Sequence, residues 1–300
     1  MLKIEKYAAI DIGSNAIRLL ISSVHEHENQ SPRFKKTSLV RVPIRLGADV
    51  FVSKKVSEEN VNRMVDTMQA YKLLMKTHKV ARYKACATSA MREAMNGEEV
   101  VNLIKEKTGI VIDIIDGTDE AAIIALTDLH ELINSDATYL YVDVGGGSTE
   151  FTLFDHGKTI TSKSFKLGTV RLLNELVTDD IWKEVEEWIR ANTEDYEEVS
   201  LIGSGGNINN IFKTSGKKIG KPLTYLYLSS YYKLLNSYSY EDRIWELNLN
   251  QDRADVIIPA TRIYLSAMKW SGARKIFVPK IGLSDGLIKS LYNEKIKVDE

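Results

Sequence analysis

Hydrophobic and polar positions follow two different periods along the first part of the chain. Apolar, β-prone runs predict a strand ending near residue 12, a second strand over residues 16–24 and a third over residues 33–43. From Ser57 onward, apolar side chains recur every three to four residues, which predicts an amphipathic helix with Ser57 as its N-cap. The chain is therefore predicted to open with an antiparallel meander and to continue into a helix.

Strand and helix patterns then alternate to the end of the chain, which predicts an α/β fold. The later strands are predicted at residues 82–88, 111–116, 139–144, 149–153, 159–165, 198–206 and 275–278. The later helices are predicted at residues 98–107, 118–132, 179–189, 207–212, 225–240, 253–270 and 287–292.

Two segments repeat one strand-turn-strand pattern. Residues 139–153 have the sequence YLYVDVGGGSTEFTL, and residues 7–21, YAAIDIGSNAIRLLI, align with them without a gap. The alignment pairs Asp11 with Asp143, Gly13 with Gly145, and Arg18 with Glu150. This duplication predicts two domains, residues 1–120 and 121–300, which face each other across a cleft, with the last helix able to pack back on the first domain.

The second copy of the pattern is suited to holding an anion. Gly145, Gly146 and Gly147 leave the turn without any Cβ atom, so backbone N–H groups can converge on a phosphate. Asp143 and Glu150 flank the turn, and such acids are useful beside a phosphate only when a divalent cation or an activated water lies between them. The alternative is a glycine-rich hairpin whose acids have no chemical role.

Other candidate groups lie at predicted junctions between strands and helices. Arg92 could reach a phosphate as a bidentate donor, or it could be an exposed helix arginine. Glu120, in the first turn of the helix that Thr118 is predicted to cap, could orient a water toward a phosphorus atom, or it could serve only the helix dipole. Gly205 and Gly206 end a strand directly before the helix that Asn207 is predicted to start, a position suited to an anion or a ribosyl group.

Composition narrows the class of protein. The 300 residues include 40 basic and 41 acidic side chains, a formal net charge of −1, so affinity for phosphate must come from a local site. Cys86 is the only cysteine, which excludes an intrachain disulfide framework and a cysteine-built metal site and suits a reducing cytoplasm. The chain shows no signal-peptide pattern and no window of about 18 uninterrupted apolar residues, and its tyrosine-rich stretch carries no interleaved basic pattern of the kind that accompanies nucleic-acid stacking. Secretion, a membrane partner and a nucleic-acid partner are therefore not expected.

Taken together, these motifs resemble the Ppx/GppA phosphatase family of exopolyphosphatases and guanosine pentaphosphate phosphohydrolases, within the superfamily of acetate kinase, sugar kinases, heat-shock chaperones and actin. The segments that carry the resemblance are IDIGSN at 10–15, TSAMREAMNG at 88–97, GTDEA at 117–121, DVGGGSTE at 143–150, LGTVR at 167–171 and GSGG at 203–206. The resemblance implies two ribonuclease H-like, actin-like domains, each with a mixed five-stranded sheet flanked by helices.

The same resemblance implies hydrolysis of terminal phosphoanhydride bonds in inorganic polyphosphate or pppGpp, with Mg²⁺ or another divalent cation as the cofactor. Glu120 is then the residue that activates the attacking water, and Arg92 helps to neutralise the equatorial oxygens of the phosphate. Asp143 and Glu150 organise the metal, and Glu150 also acts on the nucleophile. The residues implied in phosphate binding are Asp11, Gly13, Ser14, Asn15, Arg18, Gly145, Gly146, Gly147, Ser148, Gly205 and Gly206. The resemblance also suggests a homodimer.

The chain departs from the family pattern in three respects. Ala122 stands where the family usually has arginine, which removes a cation that could steady a polyanion. Asn207 stands where threonine is common, which changes the contact to a nucleotide. Long family members continue into a helical C-terminal domain, so we expect a less processive grip on long polyphosphate here. Two other functions stay open: a nucleotide-gated switch like actin and the chaperones, and a kinase of the acetate or sugar type.

Overall fold

The computed structural model of the protein describes residues 2–127 and 137–299. The chain forms two compact units, of which the first comprises Met1–Thr127 and Leu283–Glu300 and the second Asp128–Gly282. Each unit has its own mixed β-sheet and its own set of helices. The polypeptide therefore passes from one unit to the other twice.

The first unit contains a five-stranded sheet. Its elements up to residue 125 are β1 (Lys3–Ile12), β2 (Ile17–Glu26), β3 (Arg33–Val42), α1 (Leu46–Ser53), α2 (Glu58–His78), β4 (Arg82–Ala87), α3 (Ser89–Glu93), α4 (Gly97–Thr108), β5 (Asp113–Ile114) and α5 (Gly117–Ala125). The strand order is β3-β2-β1-β4-β5, in which β1 pairs antiparallel with β2 and parallel with β4.

The second unit contains a six-stranded sheet. Its described elements are β6 (Thr138–Val144), β7 (Thr149–Asp155), β8 (Lys158–Phe165), α6 (Thr169–Leu173), α7 (Asp179–Thr193), β9 (Val199–Ser204), α8 (Gly206–Thr214), β10 (Leu223–Thr224), α9 (Tyr225–Ser237), α10 (Tyr240–Trp245), α11 (Gln251–Ala254), α12 (Ile257–Trp270) and β11 (Lys275–Phe277). The strand order is β10-β11-β9-β6-β7-β8.

The strand arrangement of the first sheet recurs in the second. In each sheet the first strand is central. On one side the next two strands continue the sheet, each antiparallel to the strand before it. On the other side two later strands run parallel to the central strand. The predicted fold class, α/β with two mixed sheets flanked by helices, is confirmed. The additional strand of the second sheet is β10, which pairs antiparallel with β11. With two residues, β10 is too short to leave a hydrophobic period in the sequence.

The amphipathic helix predicted from Ser57 is confirmed as α2. The side-chain oxygen of Ser57 accepts the backbone N–H of Asn60, and Met64 and Met68 are completely buried in the core of the first unit. The methionines therefore serve packing. Although α2 has 21 residues, no helix in the described part of the chain combines the length and the apolar content needed to cross a lipid bilayer.

The start of α5 differs from the sequence prediction. The N-cap is Asp116, whose carboxylate accepts the backbone N–H groups of Thr118 and Asp119, both at 2.8 Å. Thr118 is therefore inside the helix and does not cap it, because the aspartate two residues earlier already satisfies the first donors. α5 ends at Ala125, and the predicted continuation beyond residue 127 lies outside the described residues.

The last helix, α13 (Leu283–Asp299), belongs to the first unit and packs against α5 and β1. A Cβ atom at Gly286 would lie 2.1 Å from the carbonyl oxygen of Ile123, so glycine permits the close approach of α13 to α5. Near the other end of the helix, Nζ of Lys295 binds carboxylate oxygens of Glu5 at 3.0 Å and Glu26 at 3.1 Å. The hydrogen bond from Lys295 lowers the pKa of Glu5 to about 2.

Replacing Lys295 by methionine is expected to lower the free energy of unfolding by about 2 kcal/mol at pH 7, because two partly buried carboxylates lose their shared cation. The depressed pKa of Glu5 contributes stability that is present above pH 4.5 and is lost as the pH falls toward about 2. The variant should therefore lose less stability than the wild type over this range. Urea unfolding at pH 7 and pH 3 measures both effects.

The matched control is Lys84→Met, which also removes an ion pair to α13, but one whose glutamate, Glu294, is 53% exposed. The free energy of unfolding of this variant is expected to change by less than about 0.5 kcal/mol. Equal losses in the two variants would contradict the importance of burial at Lys295.

Candidate active site

The loop between β6 and β7 turns its carbonyl groups toward the first turn of α6. Four hydrogen bonds do this. Thr169 N donates to the Gly145 oxygen at 3.0 Å, Val170 N and Arg171 N donate to the Gly146 oxygen at 2.9 and 3.4 Å, and Nε of Arg171 donates to the Gly147 oxygen at 2.7 Å. The loop is thus braced from one side by the backbone and a buried arginine of α6.

The bracing determines where the loop's donors point. In a trans peptide the C=O and N–H groups point in opposite directions, so the N–H groups of Gly146, Gly147 and Ser148 face away from α6. Successive N–H groups on one side of a loop form a concave anion site. The first glycine is also needed for space, since a Cβ atom at Gly145 would lie 3.0 Å from the Ser148 carbonyl oxygen.

Gly168, at the N-cap of α6, lies directly behind this loop. A Cβ atom at Gly168 would lie 2.3 Å from the carbonyl oxygen of Gly146 and 2.5 Å from the carbonyl carbons of Gly146 and Gly147. These atoms belong to the backbone and cannot rotate away. Only glycine at this position allows α6 to approach closely enough to brace the loop.

The loop between β1 and β2 is braced in the same way by the start of α1. The Ser14 carbonyl accepts the N–H of Gly47 at 2.7 Å, and the Asn15 carbonyl accepts the N–H of Arg45 at 3.0 Å. The N–H groups of Asn15 and Ala16 consequently point away from α1. Both glycine loops therefore present backbone donors on the side opposite their bracing helix.

The two bracing segments form a second repeat that the sequence interpretation missed. Leu46-Gly47 follows Arg45, and Leu167-Gly168 follows Lys166, so each helix begins next to a basic-Leu-Gly triplet. The triplets are out of register with the alignment of residues 7–21 and 139–153, because the intervening hairpins differ in length. A search for repeats that tolerated insertions would have found this signal.

Two acids stand beside the glycine loop of the second unit. Asp143 and Glu150 are directly opposite each other on β6 and β7. Oε1 of Glu150, a residue only 3% exposed, accepts hydrogen bonds from the hydroxyl groups of Ser148 at 2.6 Å and Ser164 at 2.9 Å. These two donors fix the orientation of the Glu150 carboxylate. Asp143 is partly exposed at the end of its strand.

This acid pair suits a metal that shares its ligands with a substrate. Within the described residues, no three His, Cys, Asp or Glu side chains come together as a ligand set. Magnesium bound next to phosphates uses one or two protein carboxylates and completes its octahedron with water and phosphate oxygens. Asp143 and Glu150 fit that requirement, and the sequence prediction had named both.

The corresponding position in the first unit holds an ion pair. Asp11 and Arg18 are directly opposite each other on β1 and β2, with Nη1 of Arg18 3.3 Å from Oδ2 of Asp11. Burial raises the pKa of Asp11, and the neighbouring Arg18 opposes that rise. Beside the loop, the hydroxyl groups of Ser14 and Ser89 form a buried hydrogen bond of 2.9 Å. Ser89 was not predicted from the sequence as a site residue.

Arg92 and Glu120 lie on the helices that follow β4 and β5. Nη1 of Arg92 donates to the carbonyl oxygen of Ile115 at 2.6 Å, so the arginine holds the segment that leads into α5. Glu120 is partly buried in the first turn of α5. Because β1, β4 and β5 are parallel, their C-terminal ends place Asp11, Arg92 and Glu120 at the same edge of the first sheet.

The third glycine segment lies beside the acid pair of the second unit. Asp143 is opposite Ser204 on the parallel strand β9, directly before Gly205 and Gly206. Gly205 has φ of 113°, and a Cβ atom there would lie 2.9 Å from the Val144 carbonyl oxygen, so glycine is required. Asp143, Glu150 and Gly205 therefore lie at the same end of the second sheet.

Two residues at this end of the second sheet were missed from the sequence. A Cβ atom at Gly206 would lie 2.6 Å from Nη1 of Arg253, so this arginine is in contact with the third glycine segment. The hydroxyl group of Tyr264 donates to the Ser204 carbonyl oxygen. Burial raises the pKa of this phenol, and the nearby Asp143 carboxylate raises it further. Both residues come from helices distant in sequence, so no local motif identifies them.

The chain was compared with known proteins. A model of the Ppx/GppA phosphatase family matches residues 23–295. A bifunctional 3-dehydroquinate synthase/phosphatase of Fusobacterium nucleatum is 31% identical over 220 residues, which cover 66% of this chain and 32% of that protein. Exopolyphosphatase 2 of Mycobacterium tuberculosis is 30% identical over 180 residues, which cover 58% of this chain and 56% of that protein. The chain thus spans between 32% and 56% of the length of these two relatives.

Solved structures show the same fold. An exopolyphosphatase from Cytophaga hutchinsonii has a TM-score of 0.82 at 21% sequence identity, with 97% of this chain and 98% of that chain covered. The similarity therefore extends over both units of the fold.

Proposed function

The chain belongs to the Ppx/GppA phosphatase family, and from this membership we propose that it releases terminal orthophosphate from inorganic polyphosphate, with pppGpp as the second candidate substrate. The observation that carries the proposal is the braced loop of the second unit, whose N–H groups at Gly146, Gly147 and Ser148 lie beside the acid pair Asp143 and Glu150. Backbone donors next to fixed carboxylates suit a phosphate that arrives with a cation.

The residues divide the proposed reaction between binding and proton transfer. The N–H groups of the two braced loops hold phosphate oxygens, and fixed donors of this kind stabilise the charge of a phosphoryl transition state without reorganisation. Gly13, Ser14, Asn15 and Arg18 serve binding in the first unit. Glu120 takes a proton from the attacking water as general base.

Other groups of the predicted site have supporting roles. Asp143 and Glu150 would hold Mg²⁺, which supplies Lewis-acid stabilisation of phosphate charge when bound. Gly205 and Gly206 offer the N-terminus of α8 to an anion. Arg92 assists by holding, through the Ile115 carbonyl, the segment that carries Glu120. The proposal places the reaction in the cytoplasm, which the free, buried Cys86 supports because it needs no oxidising compartment.

Orthophosphate release from polyphosphates of graded length, pppGpp and ATP tests the proposal. Release should be fastest from polyphosphate or pppGpp, should stop with EDTA and should return with added Mg²⁺. Negligible release from polyphosphate and pppGpp, with tight ATP binding or faster transfer to acetate or a sugar, would overturn the proposal in favour of a nucleotide switch or a kinase.

Removing a hydroxyl that orients Glu150 should reduce the proposed activity. Ser164→Ala deletes one of the two hydrogen bonds to Oε1 of Glu150, and a bond to a charged group is worth enough to lower kcat/KM by about tenfold. The measurement is steady-state orthophosphate release. Ser162→Ala is the control, because the Ser162 hydroxyl contacts Thr152 and the Phe151 carbonyl and does not reach Glu150. Equal activities of the two variants would contradict the role of Ser164.

A further inference from the structure

Strands β6 and β9 stop pairing beside the acid pair of the second unit. Their last directly opposed residues are Asp143 and Ser204. Beyond this pair, one chain continues through Val144 into the loop at residues 145–148, and the other continues into Gly205. Because a buried backbone group without a hydrogen bond is costly, the two strand ends need partners other than each other.

The hydroxyl group of Tyr264 is a partner for both strand ends. It donates to the carbonyl oxygen of Ser204 on β9. Burial raises the pKa of the phenol, and a hydrogen bond with the Val144 backbone opposes that rise. A hydrogen bond that favours the ionised phenol is one that its oxygen accepts, so the N–H group of Val144 is the donor. The hydroxyl therefore connects β6 to β9 at the point where their own pairing stops.

The surroundings of Gly205 show that this hydroxyl lies close to Asp143. A Cβ atom at Gly205 would be 2.9 Å from the Val144 carbonyl oxygen, 3.4 Å from the Tyr264 hydroxyl oxygen and 3.6 Å from Oδ1 of Asp143. The three oxygens surround one small space, which glycine leaves without a side chain. The Asp143 carboxylate therefore borders the turn that the Tyr264 hydroxyl holds.

Tyr264 is itself held in a fixed position. The residue is completely buried in the hydrophobic core of the second unit. It lies on α12, which packs against β6, against the bracing helix α6 and against α8. A phenol ring has few rotatable bonds, and close packing in a core restricts them to one arrangement. The position of the hydroxyl is thus set by the core and not by the flexible loops.

We propose that Tyr264 is a positioning residue for Asp143, because its hydroxyl group fixes the strand ends that present this acid to the metal ion. The inference rests on the proposed function and adds the group that orients the second of the two metal-binding acids. The hydroxyl groups of Ser148 and Ser164 already orient Glu150. Mg²⁺ demands near-ideal octahedral geometry, so a small displacement of one carboxylate weakens its binding. Phosphate binding depends on the braced loops and should be affected less.

Binding of Mn²⁺ alone to Tyr264→Phe, followed by the electron paramagnetic resonance signal of the free ion, tests the inference. Mn²⁺ takes the same oxygen ligands as Mg²⁺. The variant keeps the ring and loses only the hydroxyl, and the dissociation constant for Mn²⁺ should rise about 10-fold. In the orthophosphate-release assay, the Mg²⁺ concentration that gives half the maximal rate should rise by a similar factor. KM for polyphosphate at saturating Mg²⁺ should stay within about twofold.

Thr261→Val is the matched control. Thr261 lies one turn earlier on α12, is completely buried, and donates its hydroxyl to the Ile257 carbonyl of the same helix. This variant also loses a buried hydrogen bond, but its Mn²⁺ affinity and Mg²⁺ dependence should stay within about twofold of the wild type. Thermal unfolding without metal gives the folded fraction of each variant, so that binding is compared per folded molecule. Asp143→Asn should weaken Mn²⁺ binding by at least about 10-fold, because an amide is a poorer ligand than a carboxylate.

Three results would overturn the inference. They are unchanged Mn²⁺ binding in Tyr264→Phe, an equal loss of Mn²⁺ affinity in Thr261→Val, and Mn²⁺ binding that Asp143→Asn leaves intact. A purely structural role for Tyr264 would lower the melting temperature without changing the metal dependence of the folded protein.

The binding experiment separates this inference from the proposed function. If the wild type binds Mn²⁺ through Asp143 but releases no orthophosphate from polyphosphate or pppGpp, the proposed function fails. Weaker Mn²⁺ binding in Tyr264→Phe would still support the positioning role. If the wild type releases orthophosphate and Tyr264→Phe shows normal Mn²⁺ affinity and normal Mg²⁺ dependence, only the inference about Tyr264 fails.

Discussion

Glu120→Gln is expected to lower kcat for orthophosphate release by about 10²-fold to 10⁴-fold, because the amide cannot accept the proton of the attacking water. The folded state should be little affected. Asp116 already caps α5 through the N–H groups of Thr118 and Asp119, so the helix does not depend on Glu120 for its first turn. Steady-state kinetics with polyphosphate, together with thermal unfolding, measure the two effects separately.

The neighbouring acid provides the control for Glu120. Asp119 lies in the same helical turn and is exposed to solvent, so Asp119→Asn changes the charge near the helix dipole by the same amount. A change in kcat of less than about threefold is expected for it. Full activity in Glu120→Gln, or equal losses in both variants, would show that the acid serves the helix and not the chemistry.

Gly168→Ala is expected to cost about 3 kcal/mol or more in unfolding free energy and to lower kcat/KM by at least about 100-fold. The added Cβ atom would meet the Gly146 carbonyl at 2.3 Å, and overpacking against backbone forces the loop to move. A shift of about 1 Å in a positioning group can cost two orders of magnitude in rate. Urea unfolding and orthophosphate release from polyphosphate measure the two losses.

The equivalent glycine of the first unit gives a graded comparison. At Gly47 the nearest atom to an added Cβ belongs to the Phe51 ring, at 2.8 Å, and the Cβ of Ser14 follows at 3.2 Å. A side chain can shift where a backbone carbonyl cannot, so Gly47→Ala should lose only about 1–2 kcal/mol. A Gly168→Ala protein as stable and active as Gly47→Ala would show that α6 does not brace the loop.

Local sequence was sufficient for the features whose physical causes are local. The ungapped repeat of residues 7–21 and 139–153 predicted the two glycine loops, and the structure places Asp11 opposite Arg18 and Asp143 opposite Glu150 at those loops. Helix α2 followed from its apolar period and from Ser57, because periodicity and an N-cap act within one helix. Strands β1 to β4 were predicted for the same reason, since each has at least six residues and leaves a pattern.

Features that depend on packing between distant segments required the tertiary structure. Nothing near Ser164 marks it in the sequence, and its role comes from the strand pairing that brings its hydroxyl group to the Glu150 carboxylate. The roles of Gly168 and Arg253 likewise come from close contacts with other loops. By itself, the sequence determined the duplicated loops, the α/β class and the acids that stand beside the loops. Only the tertiary structure decided which way the loop donors point and which hydroxyl groups orient Glu150, because both depend on hydrogen bonds and strand registers between residues distant in the chain.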